Sequence, residues 1–152
     1  METYTGCISS RDTSKYITQE FIDNPIFKLL PDGFDICYYI QEVPDDTILL
    51  HFYLYDNNKP LDEISNDDVI SSMHMYYKKP HSWSYSWVPI FYNIFHIPEL
   101  VTNNSFKGFN FQGSGIGSFM VLCGISYAKT QNLHFALLTD ASEGYRKEKN
   151  IY

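Results

Sequence analysis

One stretch towards the C-terminal end constrains the fold more than any other. From residue 112 the chain reads Gln112-Gly113-Ser114-Gly115-Ile116-Gly117, then SFMVLCGISYAKTQN, then LHFALLT. Ile116, Met120, Cys123 and Tyr127 recur at alternating intervals of four and three, the spacing of a helix with one apolar stripe. LHFALLT is almost wholly apolar, as expected of a strand covered on both faces. A glycine loop, a helix and a buried strand in that order require an α/β core at this end. DASEGYRKEKNIY then reads as another helix, with Asp140 or Ser142 as its cap.

Upstream, the pattern is mostly that of strands. Residues 3–9 make a short first strand. SKYITQEFIDN reads as a helix capped by Ser14, with Ile17 and Phe21 on one face, and Pro25 breaks it and opens a second short helix, PIFKLL. After the turn Pro31-Asp32-Gly33, FDICYYIQEV and TILLHFYLYD are rich in aromatic and β-branched residues. The turn Pro44-Asp45-Asp46 between them makes an antiparallel hairpin. In LDEISNDDVISSMHMYYKK, Leu61, Ile64 and Asp68 give a weak helical spacing. A further strand spans roughly 83 to 97, and ELVTNNSFKGFNF is a polar loop. No repeat or linker divides the chain, so residues 1–152 form one domain.

Composition narrows the function. With 44% hydrophobic, 19% charged and 17% aromatic residues the chain is globular rather than disordered. A net charge of −7 lacks the basic face that displaces counterions from nucleic acid, so no nucleic-acid partner is expected. The N-terminus has no secretory pattern, and WVPIFYNIFHIPEL is too short and too polar to span a bilayer, so no membrane is expected either. Cys7, Cys37 and Cys123 are odd in number and lack CxxC spacing. This argues against a disulfide framework and a zinc site and for reduced thiols in a cytoplasmic protein. The five histidines show no metal-binding pairing, so no metal is expected.

The glycine loop is where a phosphate ligand fits. Helix N-terminal amides have no intrahelical acceptors and carry the positive end of the dipole, and glycine lets a ligand approach the main chain. The plain alternative is a corner that binds nothing. A P-loop needs Lys and Ser or Thr after its last glycine, whereas Ser118-Phe119 follow here. A dinucleotide fingerprint fits Gly113 and Gly115 but meets Ser118 at its third glycine, although Asp140 stands where a ribose-binding acid would.

The segment resembles motif A of the GNAT superfamily of N-acetyltransferases, Q/R-x-x-G-x-G/A at the start of a helix, with Gln112, Gly115 and Gly117 in its specified positions. Ile97-Pro98-Glu99 looks like the end of the family's strand four, and Asn150-Ile151-Tyr152 stands at the spacing of its Leu-Tyr pair. The resemblance spans the chain in outline, but its specific residues lie within 97–152. The loop from Glu99 to Gln112 is longer than usual for the family, and the Gly-Phe after the tyrosine and the last two strands do not follow Tyr152.

The resemblance implies an α+β fold: a mixed, mostly antiparallel sheet flanked by helices, with a V-shaped split between strands four and five. It implies transfer of an acetyl group from acetyl-CoA, or another acyl-CoA, to a primary amine by direct attack. The pyrophosphate would lie over Gly113, Ser114, Gly115, Ile116, Gly117 and Ser118, with Gln112 in the same region and the pantetheine arm paired along the strand near Ile97. Tyr152 is then the proton donor to the leaving thiolate, and Glu99 the base acting through a water. His96 is a second base candidate, with alternation turning it from the face of Ile97. The aromatic run Tyr76, Tyr77, Trp83, Tyr85, Trp87, Phe91, Tyr92, Phe95 serves either packing or an acceptor pocket, and the acidic balance favours a cationic small-molecule or peptide amine. Two other readings stay open: a non-catalytic CoA-binding or interaction protein, and a Rossmann-like nucleotide binder. The family's missing strands imply either residues beyond Tyr152 or a partner, such as a second copy of this chain, along the apolar edge strand 133–139.

Overall fold

The structure, a computed structural model, describes residues 2–78, 94–103, 106–108, 115–133 and 135–138. Six strands form one sheet whose spatial order is the chain order: β1 (Thr3–Cys7), β2 (Phe34–Val43), β3 (Thr47–Asp56), β4 (Val69–Lys78), β5 (Ile94–Thr102) and β6 (Phe135–Leu138). Successive pairs from β1 to β5 are antiparallel, and β6 runs parallel to β5, from Ile94↔Phe135 to Ile97↔Leu138. A long helix, α2 (Ile116–Thr130), makes the crossover between those two, as a parallel pair requires. The short helix α1 (Gln19–Ile22) and a 3₁₀ turn, Pro25–Leu29, fill the connection from β1 to β2. The class is α+β, with a mostly antiparallel sheet.

The hairpin of β2 and β3 keeps unbroken register from Phe34↔Asp56 to Val43↔Thr47. Its turn places Asp45 and Asp46 in the left-handed region (φ 70° and 58°), which aspartate tolerates better than most residues. Strict alternation sends Ile36, Tyr38 and Ile40 to one face, with Leu50, Phe52 and Leu54 across from them. Met73, Met75 and Tyr77 of β4 continue that face, which is the core.

Helix α2 lies on the core face with Met120, Cys123, Tyr127 and Ala128 buried. Gly124 permits the approach, since a Cβ there would stand 2.9 Å from Met73 Cε and Met75 Sδ. Tyr127 packs edge-on to Phe21 of α1 at 5.5 Å between ring centroids and against Phe52 at 5.8 Å. Its buried hydroxyl shares a hydrogen bond of 3.1 Å with that of Tyr77, so neither phenol is left unsatisfied. Full burial of side chains such as Phe52 and Leu50 is worth about 1.5–3 kcal/mol each.

Several sequence expectations need correction. Ser14 does not cap a long helix. Its hydroxyl accepts from the N–H groups of Tyr16 and Ile17 in a local turn, and the helix starts only after Thr18, whose side chain accepts from Phe21 N–H. The region 61–78 is not helical beyond two 3₁₀ turns, Leu61–Glu63 and Asn66–Asp68; Val69–Lys78 is a full strand. Its buried positions Ile70, Ser71, Met73, Met75 and Tyr77 are largely two apart, and a two-residue period overrides the weak four-residue spacing. The next strand does not end at Ile97 but runs to Thr102, and it is the fifth strand rather than the fourth. Most of that expected strand, 83–93, and the helix 140–152 lie outside the described residues.

Candidate functional site

The described part of the glycine loop begins at Gly115, the residue before α2. Gly115 adopts φ 84°, ψ 10°, a left-handed conformation that costs an L side chain about 1–2 kcal/mol. No side chain caps the helix, so the first-turn N–H groups of Ile116, Gly117 and Ser118 have no side-chain acceptor in the cap. Beside these amides lies a shallow apolar hollow of about 190 Å³, lined by Gly115, Ile116, Phe119, Leu29, Pro31 and Leu54. A Cβ at Gly115 or Gly117 would meet no atom within 4 Å. Among the described residues, the start of α2 thus combines first-turn donors that no side chain caps with open space. Gln112, Gly113 and Ser114 lie outside the described residues, as do Tyr152, Asp140 and Trp83–Tyr92 of the aromatic run.

Strand β5 contributes a bulge. His74 pairs with Glu99 and Tyr76 with His96, so Ile97 and Pro98 together oppose the single residue Met75. Pro98 lacks an N–H, and a bulge is where a strand tolerates that loss. The extra residue also changes parity. His96 and Glu99 are three apart, yet both lie on the sheet face away from the core, whereas Ile97 is 2% exposed and packs into the core. The sequence expectation that His96 faces away from Ile97 agrees with this. The Ile97 side chain is occupied by packing, and its main chain lies between β4 and β6, in register with Leu138.

That outer face carries a row the sequence reading did not single out. Glu99 Oε2 is 3.9 Å from His74 Nδ1. The His74 ring lies 4.1 Å, centroid to centroid, from that of His51, and His51 Nδ1 shares a hydrogen bond of 3.0 Å with the Tyr53 hydroxyl. Tyr76 stacks on His96 at 4.6 Å and 6°. Burial, then the neighbouring His74, pushes the His51 pKa down, while Glu99 acts the other way. These surroundings favour the neutral imidazole of His51. The signal was present as alternation, His51-x-Tyr53 on β3 and His74-x-Tyr76 on β4, but only the register His51↔His74↔Glu99 turns it into a row.

The structure therefore sets Ile97 and α2 on the core side of the sheet and Glu99 on the other. Among the described residues no group of three His, Cys, Asp or Glu is arranged to hold a metal ion, and no helix is long and apolar enough to cross a membrane. No family model, no curated protein and no solved structure matches the chain.

Proposed function

We propose that the chain is an acyl-CoA-dependent N-acyltransferase of the GNAT type, transferring an acetyl group from acetyl-CoA to a primary amine. The observation that carries this reading is the start of α2: a left-handed Gly115, uncapped amides at Ile116–Ser118, and open space above them, in a crossover between two parallel strands. A diphosphate would accept from those amides and gain from the helix dipole. The adjacent apolar hollow would take an uncharged part of the same molecule. The reading also calls for main-chain groups near Ile97 to align the pantetheine arm in a V-shaped split between that strand and 134–139; β5 and β6 are instead paired in parallel there, from Ile94↔Phe135 to Ile97↔Leu138, which weighs against that part of it.

In this reading Glu99, in line with His74 and His51, takes the proton of the attacking ammonium through a water, and Tyr152 supplies one to the departing thiolate. The half-exposed aromatic face of Tyr53, Tyr76 and His96 would receive a cationic small-molecule or peptide amine. A cytoplasmic setting, no nucleic-acid or membrane partner, and pairing of two copies along β6 belong to the same proposal.

The position of Glu99 on the face opposite α2 favours a second reading, CoA binding without transfer. A Rossmann-like unit needs a parallel sheet, and the antiparallel order of β1–β5 weighs against it.

Titration with acetyl-CoA tests the reading. Gly117→Phe is the informative variant, because it fills the space above the amides at an ordinary helical residue, whereas a change at Gly115 adds backbone strain. Binding by the wild type and at least tenfold weaker binding by Gly117→Phe are expected. CoA release with an amine panel, reduced in Glu99→Gln, separates transfer from binding alone. Wild-type protein that does not bind acetyl-CoA would end the proposal.

A further inference from the structure

We propose that Cys7 and Cys37 close a reversible disulfide across β1 and β2, an oxidation-sensitive clasp on the first edge of the sheet. The two cysteines are direct partners in the antiparallel ladder, Cys7↔Cys37. Their pair type follows from the neighbouring hydrogen bonds. Ile8 N–H donates to Ile36 O at 2.9 Å, and Glu42 N–H to Glu2 O at 3.0 Å, so the hydrogen-bonded pairs in this register fall on Glu2/Glu42 and Ile8/Ile36. Cys7/Cys37, one step from Ile8/Ile36, is a non-hydrogen-bonded pair. Such pairs place Cα atoms about 4.5 Å apart with side chains leaning together on one face. That lies within the span of about 4.4–6.8 Å that disulfides bridge.

Both thiols are free and partly accessible, whereas Cys123 is buried beneath α2 and has no such partner opposite it. The site is also placed where a link has an effect. β1 is an edge strand that pairs only with β2 among the described strands. Its return connection is held by further side chains, Ser9 to Asp35 and Tyr16 to Glu42, so the clasp closes an already ordered corner.

The chemistry needs an oxidant, and a low-molecular-weight disulfide such as oxidised glutathione supplies it. The Cys7 thiolate attacks one sulfur, forming a mixed disulfide and expelling one glutathione thiolate. The Cys37 thiolate then attacks Cys7 Sγ and expels the second. The two protein thiols lose two protons and two electrons, and two molecules of reduced glutathione carry them away. Cys7 is the entry thiol: its Sγ lies 3.2 Å from the Tyr55 hydroxyl, a contact that opposes the rise burial imposes on its pKa. Burial pushes Cys37 up to about 12, which suits a thiol that reacts only once the mixed disulfide sits beside it and makes the closure slow.

The test is mass spectrometry of the intact chain after incubation with oxidised glutathione, acid quenching and alkylation of free thiols. Loss of two hydrogen atoms, a cross-linked peptide joining residues 7 and 37, reversal by dithiothreitol and slower hydrogen exchange of the Thr3–Cys7 amides are expected. Cys123→Ser should behave as the wild type. Cys37→Ser should stop at a glutathione adduct on Cys7, and Cys7→Ser should form no internal bond. A wild-type chain that stops at the adduct, pairs through Cys123 or keeps all three thiols would overturn the proposal.

Discussion

At Gly6 a Cβ would stand 2.5 Å from the Tyr38 hydroxyl and 2.8 Å from its Cζ, because the Tyr38 ring lies across the strand where β1 has no side chain. A ring cannot fold away from a new methyl, so Gly6→Ala should cost about 1–3 kcal/mol, read as a lower urea midpoint. Gly124 also has contacts under 3.0 Å, two at 2.9 Å, but to the ends of two methionines. Those ends can swing aside, and alanine is the better helix former by about 1 kcal/mol. Gly124→Ala should therefore change stability by less than about 1 kcal/mol in the same urea measurement, whereas Gly124→Phe should lift α2 from β4 and lower the midpoint strongly. Both glycines are visible in the sequence, yet the difference between them is not. It depends on which neighbour each one meets, and that is set by register and helix placement. The same limit hid His51 and His74, which are far apart in the chain and share one row only through their strands.

Strand β5 shows what the sequence carries at the scale of an element. Pro98 reads as a strand terminator, and the strand nevertheless passes through it, because the bulge removes the need for its N–H. Deleting Pro98 should convert Tyr76↔His96 and His74↔Glu99 into a continuous register with every later side chain on its present face. Cooperative unfolding should survive within about 2 kcal/mol, measured by urea titration, since the lost residue has no ladder bond to give up. The elements read correctly from sequence are those with a dominant period: the hairpin of β2 and β3, with its aspartate turn, and α2, with its apolar stripe. Those read wrongly, the long helix after Ser14 and the helical spacing around Leu61, had two apolar positions that happened to stand about one helical turn apart. Burial of Ile17 and Phe21 is real, but a turn and a four-residue helix accomplish it.

Across the whole molecule, one ionic cluster joins distant parts of the chain. Asp68, 2% exposed, accepts from Ser65 N–H at 3.0 Å and meets Lys59 at 3.3 Å and Lys107 at 3.4 Å, while Lys107 also meets Asp56 at 2.8 Å. This pins the turn before β4 to the 3₁₀ turn Phe106–Gly108 after β5. The Ser65 amide first, then the two lysines, hold the Asp68 pKa down at about 2, from an ordinary value of 3.8. Its stabilisation is in place above pH 3.8 and is lost as the pH falls towards about 2. The urea midpoint should fall over that window, and less steeply in Asp68→Asn. The identity of spatial order and chain order in this sheet also governs synthesis. Strands leave the ribosome in the sequence in which they pair, so each antiparallel ladder can close as soon as its second strand emerges. Helix α2 follows all five, and until Thr130 is out the faces of Met73, Met75 and Tyr77 have no cover from it. The nascent chain is thus an open sheet with one apolar side uncovered by α2 until that helix emerges, the kind of transient surface that invites association.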